Sequence, residues 1–255
     1  MRIATWNLLH GQSVKPGDPT ISLHQVFGNI EVDILGVQEV DENQPRSLGE
    51  KQVEEIAKAM GTTHWAYARC VTGTPGEIWR KPHPHEAVLH AHFSEPSYGI
   101  GLVSRIPVRK WHRIELGRSR VGMPLLVGSE KGVRIAYVKD EPRVALVAEL
   151  ENGFTVAVVH LSFVPLVNIW QLRKIQRELK KLPGKKILIG DFNLPWALPT
   201  KVSNWKSLVE KKSYPSWKPA IQFDYLLSEN ELDCAPINFP PMEISDHLPI
   251  GVTLK

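Results

Sequence analysis

Lys186-Ile-Leu-Ile-Gly-Asp-Phe-Asn193 sets an unbroken apolar run directly against an aspartate and an asparagine. An apolar run without polar alternation predicts a strand buried on both faces, which belongs in the interior of a covered sheet. Its end delivers Asp191 and Asn193 where the sheet stops. Upstream, Val144 to Leu150 and Phe154 to Leu161 flank Asn152-Gly153, a dipeptide that tolerates the positive φ of a tight hairpin. The second of these strands ends at His160. Between it and Lys186, the residues Ile169, Leu172, Ile175, Gln176 and Leu179 keep helical spacing. Arg173, Lys174, Arg177, Lys180 and Lys181 form the wet face of that helix, and Pro183-Gly184 stops it.

The same grammar recurs toward both ends. Arg2 to Leu9 predicts a central strand that ends in polar Asn7 and His10. Ser22 is placed to cap a helix carrying Leu23, Val26, Phe27 and Ile30, and Ile34-Leu-Gly-Val37 then predicts a buried strand delivering Gln38 and Glu39. A helix with Val53, Ile56, Ala57 and Met60 precedes a strand at Trp65 to Val71. Residues 72 to 97, with four prolines and four histidines, predict a long surface loop. Strands are expected at Gly99 to Ser104 and around Val108 to Ile114, followed by a mobile stretch from Gly117 to Gly132. A short helix over Trp205 to Val209 and strands at Phe223 to Leu227, Cys234 to Phe239 and Pro249 to Leu254 complete the pattern. Strands precede helices in both halves and hairpins interrupt them, so the fold class is mixed α/β with two packed sheets flanked by helices.

The chain has 255 residues, enough for a sizeable core, and residues 1–255 are expected to form one domain. Hydrophobic residues at 42% and charged residues at 23% exclude disordered, collagenous and coiled-coil classes. The formal net charge of +4 is permissive of a polyanionic partner and reads as spread along the chain. Two distant thiols, Cys70 and Cys234, make neither a disulfide framework nor a zinc spacing. The N-terminus does not read as a secretory signal, and no stretch approaches the roughly 20 apolar residues of a spanning helix. The expectation is therefore a cytoplasmic protein with no membrane anchor and no obligate protein partner.

Polar residues of one chemical kind stand at the strand ends: Asn7, Glu39, His160, Asp191 with Asn193, Asp224, and Ser245-Asp246-His247. A carboxylate beside a buried strand is costly unless paired or metal-bound, and their number argues for convergence on a hard cation. Mg2+ prefers oxygen ligands and needs only one or two carboxylates, which suits Glu39 and Asp246 with help from Asn7; Mn2+ is the alternative ion. Asp191 is placed to align and deprotonate a water while Asn193 holds a phosphate oxygen. His160 and His247 can donate to non-bridging oxygens, and Asp224 is a candidate to orient His247. Arg46 and Arg143 are candidate substrate-phosphate contacts, with a plain surface ion pair as the competing assignment.

Thr5-Trp-Asn7, Val37-Gln-Glu39, His160-Leu161, Gly190-Asp-Phe-Asn193 and Ser245-Asp-His247 resemble, in order and spacing, the motif series of the endonuclease/exonuclease/phosphatase superfamily. The resemblance spans Asn7 to His247. It implies a deoxyribonuclease I-like four-layer α/β sandwich with Asn7, Glu39 and Asp246 around the metal. It implies also that Asp191 and Asn193 handle water and phosphate, that Asp224 supports His247, and that Tyr98 corresponds to the superfamily's Tyr or Phe at a strand head.

Fold and site chemistry are shared across many activities, so the motifs do not choose a substrate. The leading expectation is a Mg2+-dependent phosphodiesterase, a nuclease or endonuclease, with nucleic acid as substrate. The alternative is a phosphoesterase for a small phosphorylated metabolite or lipid headgroup, with the loop from Thr72 to Ser97 shaping a closed pocket. A catalytically dead binding module is disfavoured because no expected site residue is replaced. His85 and His90 are spaced by five, where a zinc-protease helix needs four, so the loop histidines read as solvated. Trp170, Trp196, Trp205 and Trp217 read as core or loop anchors rather than base-stacking platforms.

Overall fold

The computed structural model describes residues 1–13, 23–89, 93–129 and 132–255. Its strands, in chain order, are β1 (Arg2–Asn7), β2 (Ile34–Glu42), β3 (His64–Gly73), β4 (Trp79–Arg80), β5 (Ser97–Ser104), β6 (Val108–Gly117), β7 (Met123–Ser129), β8 (Gly132–Val138), β9 (Arg143–Leu150), β10 (Phe154–His160), β11 (Lys185–Asp191), β12 (Lys206–Ser207), β13 (Asp224–Ser228), β14 (Cys234–Pro236) and β15 (Ile250–Leu254). The helices are α1 (Leu23–Gly28), α2 (Gln52–Ala59), α3 (Val167–Leu179) and α4 (Leu198–Ser203). One sheet runs β14-β15-β1-β2-β5-β3-β4, a second runs β12-β13-β11-β10-β9-β6, and β7-β8 form a separate ribbon.

Alternation along each strand decides the layers. Val156 and Val158 of β10, Ile187 and Ile189 of β11, and Val144, Leu146 and Ala148 of β9 face Ile3, Ile34, Ile100 and Leu102 of the other sheet. Their neighbours Ala157, Val159, Leu188, Ala145 and Val147 face outward onto Leu172, Ile175 and Leu179 of α3. On the opposite side Leu35 and Val37 of β2 pack with Phe27 of α1 and Val53, Ile56 and Ala57 of α2. Helix, sheet, sheet and helix therefore stack as four layers, and the strands buried on both faces are the ones that read as continuous apolar runs.

Pairing direction brings the polar strand ends together. β1 is parallel to β2 with Asn7 beside Gln38, and β10 is parallel to β11 with His160 beside Asp191. β13 runs antiparallel to β11, so its first residue, Asp224, lies opposite Asp191. The Asn152-Gly153 hairpin joins β9 to β10 as expected, with Gly153 at φ 86°.

Two expected elements differ. Lys206–Ser207 lie in a strand rather than a helix, because this short segment pairs with β13, and the helix falls earlier, at Leu198–Ser203. The stretch after Gly117 holds β7, which pairs with β8 from Met123↔Val138 to Ser129↔Gly132. The expected Ser22 cap lies outside the described residues.

Gly190, just before Asp191, has φ 140°, and a Cβ built on it would lie 1.9 Å from the Val159 carbonyl oxygen. Only glycine lets β11 approach β10 this closely. Gly190→Ala should cost roughly 1–3 kcal/mol in urea unfolding, and an unchanged midpoint would show that the approach is not a constraint.

Candidate active site

Non-glycine residues at the shared sheet edge that adopt positive φ include Leu9 (44°), His10 (47°), Glu39 (56°), Asn193 (49°) and Ser245 (67°). Such conformations persist only where the surroundings impose them, and they gather at functional sites. Glu39 sits on a β-bulge between Gln38 and Val40, which re-aims its carboxylate out of the β2 ladder.

Asn7 is the bridge. Its side-chain nitrogen donates to Glu39 Oε1 at 3.0 Å and to Asp191 Oδ2 at 3.1 Å, while its oxygen accepts from the Leu9 amide at 3.1 Å. Asp191 Oδ1 accepts from the Asn193 amide at 2.8 Å, and the Asn193 side chain donates to the Leu161 carbonyl at 2.9 Å. His160 Nε2 lies 3.6 Å from Asp191 Oδ2 and 3.9 Å from Glu39 Oε1. On the other side His247 Nδ1 bonds Asp224 Oδ2 at 2.8 Å, and its Nε2 stands 3.9 Å from Asp191 Oδ2. Ser213 Oγ donates to the same Asp224 oxygen. The His247 segment is pinned to β1: Trp6 Nε1 donates to the His247 carbonyl at 2.8 Å, and Ser245 Oγ donates to the Asn7 carbonyl at 2.6 Å.

The two histidines are pushed in opposite directions. Burial holds the His160 imidazole well below 6.5, and the charges of Arg143 and His247 add to it. Burial would also depress His247; the Asp224 carboxylate, through charge and hydrogen bond, with Asp191 and Asp246, outweighs it and lifts His247 to about 10. One ring is thus neutral and the other an imidazolium at neutral pH. Burial raises the Asp191 carboxyl to about 7, opposed by His247 and assisted by Asp224. Burial and then the Glu39 charge raise Asp246 to about 6 against the pull of His247.

The structure gathers Asn7, Glu39, His160, Asp191, Asn193, Asp224 and His247 into one network, with Asp246 next in chain to His247. Both arginines lie beside acids. Arg46 lays a two-pronged bond on Asp41, at 2.8 Å each, through Nε and Nη2. This is not a plain surface pair, since Asp41 is fully buried. Arg143 is itself buried, with Nη2 3.8 Å from both Asp140 and Glu141 and no hydrogen bond to Nε. Tyr98 is buried beneath the Arg46 guanidinium, 5.8 Å from its centre.

Sequence reasoning missed Glu141, a buried carboxyl raised by desolvation and by Glu39 against the pull of Arg143. Its neighbours Asp140 and Arg143 were its only signal. Ser213 carried none, since nothing local marks a serine that reaches Asp224. The tryptophans also depart from expectation: Trp205 is buried, but Trp196 is 70% and Trp217 68% exposed. His83 and His85 stack with ring centres 5.7 Å apart, while His90 and His92 lie outside the described residues.

A model of the Endonuclease/Exonuclease/phosphatase family matches residues 4–247. The chain belongs to this family. Its likeness to solved family structures extends over the whole length at low identity. An endonuclease/exonuclease/phosphatase from Beutenbergia cavernae has a TM-score of 0.66 at 18% identity, covering 100% of this chain and 71% of that one. A mannosyl-6-phosphatase of Bacteroides thetaiotaomicron has a TM-score of 0.59 at 12% identity, covering 100% and 99%. D. rerio TDP2, solved with a single-strand DNA product, has 0.58 at 13%, covering 100% and 98%. No curated protein matches the sequence.

Endonuclease/exonuclease/phosphatase family members hydrolyse phosphoester bonds and generally use divalent metals, and this chain is a phosphoester hydrolase of that family. Two donor sets compete for an ion. Asp191, Asp224 and His247 place one potential ligand atom each within 4.8 Å of one another. Those groups are already bonded to each other or to Asn7, Asn193 and Ser213. Glu39 accepts one bond, from Asn7, and raises the neighbouring Asp246 carboxyl, so this second set has a charge for a cation to neutralise. The second set fits a hard divalent ion better.

Because the His247 value lies above the ordinary 6.5, its interaction with Asp224 stabilises the fold in full below about pH 6.5 and is lost as pH rises through about 10. In metal-free protein, Asp224→Asn should move the NMR titration of the His247 ring from about 10 to below neutrality. An unmoved midpoint would mean that Asp224 does not hold the charge.

Proposed function

We propose that this chain is a single-domain, divalent-metal-dependent phosphodiesterase that cleaves nucleic acid, DNA or RNA. The observation that carries the nucleic-acid reading is the pair of exposed indoles flanking the network. Trp196 follows Asn193 by three residues, and its carbonyl is fixed by the Tyr225 hydroxyl. Trp217 lies on the loop whose Ser216 amide donates to the Asp246 carbonyl at 2.7 Å. Every base offers a π-face that can stack on an exposed indole.

Glu39 and Asp246 would hold Mg2+, or Mn2+ in its place, and Asn7 orients Glu39 and Asp191 through its amide nitrogen. When bound, the ion neutralises charge on a non-bridging phosphate oxygen. Asp191, with a carboxyl raised to about 7, takes the proton from a water as the water oxygen bonds to phosphorus, and the bond from phosphorus to the leaving oxygen breaks. The His247 imidazolium donates from Nε2 toward the charge that grows on the phosphoryl group, with Asp224 keeping Nδ1 occupied. His160, neutral, and the Asn193 amide complete the phosphate cradle. The charge of buried Arg143 helps to keep His160 neutral.

Oligonucleotides, plasmid DNA, bis-p-nitrophenyl phosphate and a phosphomonoester panel, each with Mg2+, Mn2+ or EDTA, test the proposal. Asp191→Ala should lower turnover by roughly 10²–10⁴ with the fold intact. Trp196→Ala should raise KM for oligonucleotide by roughly 5- to 100-fold, a stacked base being worth ~1–3 kcal/mol, and leave bis-p-nitrophenyl phosphate unaffected. Turnover confined to small phosphomonoesters would instead establish the metabolite phosphoesterase.

A further inference from the structure

The positive charge of this protein is not spread along the chain. Residues 118–139 contain Arg118, Arg120, Lys131, Arg134 and Lys139 against one acid, Glu130, so this segment alone carries an excess equal to the formal +4 of all 255 residues. The remainder is electrically balanced.

The same segment encloses the β7-β8 ribbon, which among the described residues joins neither sheet. It leaves from the active-site edge. β6 ends where Gly117 pairs with Arg143, at the start of β9, and β9 runs antiparallel to β10 with Ala145 opposite Val159, next to His160. The base is held rigidly: Asp140 Oδ2 accepts the Ser119 amide at 2.6 Å and the Ser162 hydroxyl at 2.8 Å, and Ser162 follows His160 by two residues. Arg118 stacks over Trp79 at 5.3 Å, and the Gly122 amide donates to the Tyr137 hydroxyl at 2.8 Å. Arg118 and Arg120 precede β7 and Lys139 follows β8, so these cations cluster at the base. Arg118, Arg120 and Lys139 are exposed, as are Ile135 and Tyr137 at 74% and 65%.

A two-stranded ribbon of seven residues per strand reaches on the order of 20 Å. Cations beside exposed aromatic and apolar side chains form the usual surface for a nucleic-acid strand, with phosphates on the cations and a base on the ring. We infer that the β7-β8 ribbon and its cationic base form a substrate arm that grips the nucleic-acid backbone beyond the nucleotides flanking the bond being cut. The inference rests on the nucleic-acid reading above and deepens it. The arm makes polymer length a determinant of affinity, and Asp140 fixes its bearing relative to His160.

The test is the triple variant Arg118→Gln, Arg120→Gln, Lys139→Gln, none of which belongs to the catalytic network. The expected result is a KM for a 20-nucleotide strand raised on the order of tenfold, with kcat, melting temperature and bis-p-nitrophenyl phosphate turnover unchanged. The slope of log KM against log salt should shrink by about 0.7 for each phosphate that the arm no longer neutralises. A dinucleotide substrate, too short to reach the arm, should be cut equally well by both proteins. An unchanged KM and salt slope on the long strand would overturn the arm while leaving the nuclease intact. If the wild type cuts no nucleic acid, the functional reading itself fails; anisotropy of a labelled strand in EDTA then tests the arm separately, and equal affinity of both proteins overturns it. Loss of binding to phosphatidylserine vesicles in the triple variant, with oligonucleotide binding unchanged, would overturn it in favour of a membrane surface.

Discussion

Two sheets packed through aliphatic side chains have little in that interface to fix how their polar edges meet. Val158 and Ile189 can slide against Ile34 at modest cost, whereas a catalytic pair cannot tolerate such play. The Asn7 side chain supplies the missing constraint, donating from the end of β1 in one sheet to Asp191 at the end of β11 in the other and to Glu39 on the β2 bulge. Both acceptors are carboxylates, which makes these the stronger class of hydrogen bond. Trp6 and Ser245, bonding around it, tie the His247 segment to the same strand. The site is thereby assembled from elements nearly a whole chain apart.

Once the carboxylates are held, burial separates their roles. Asp224 has one oxygen shared between Ser213 and His247, and its charge keeps the imidazolium that the low-dielectric setting would otherwise discharge. Asp191, deprived of water and near Asp224, is pushed toward neutrality, where a carboxylate is a useful base. His160, facing Arg143 and His247, stays uncharged. Two histidines and several acids of ordinary intrinsic behaviour thus take distinct protonation states from their surroundings alone. The strained backbone at Glu39, Asn193 and Ser245 is the conformational cost of aiming these groups.

Much of this was legible in the sequence because strands buried on both faces read as apolar runs, and the polar residue that ends such a run sits at a sheet edge. That is why Glu39, His160, Asp191 and Asp224 stood out together. Local pattern failed where pairing decides. Lys206 and Ser207 become a strand only because β13 is beside them, and β7 only because β8 folds back. It is silent also on which atom points where: Asn7 accepts from the Leu9 amide through its oxygen and donates to the acids through its nitrogen. Arg46 could be placed near the site, whereas its commitment to buried Asp41 required the fold. Trp196 and Trp217 look like Trp205 in composition and differ only in exposure. A count of charges along the whole chain hid the fact that its excess resides in one segment, residues 118–139.

The division between a metal-holding pair, Glu39 with Asp246, and a hydrogen-bonded trio, Asp191 with Asp224 and His247, is the central claim. An anomalous difference map from crystals soaked in Mn2+ tests it directly. Density between the Glu39 and Asp246 carboxylates, with the bond from His247 to Asp224 retained, is the result the account predicts. A peak enclosed by Asp191, Asp224 and His247 would contradict it, since that trio would then be the ligand set and His247 a neutral imidazole.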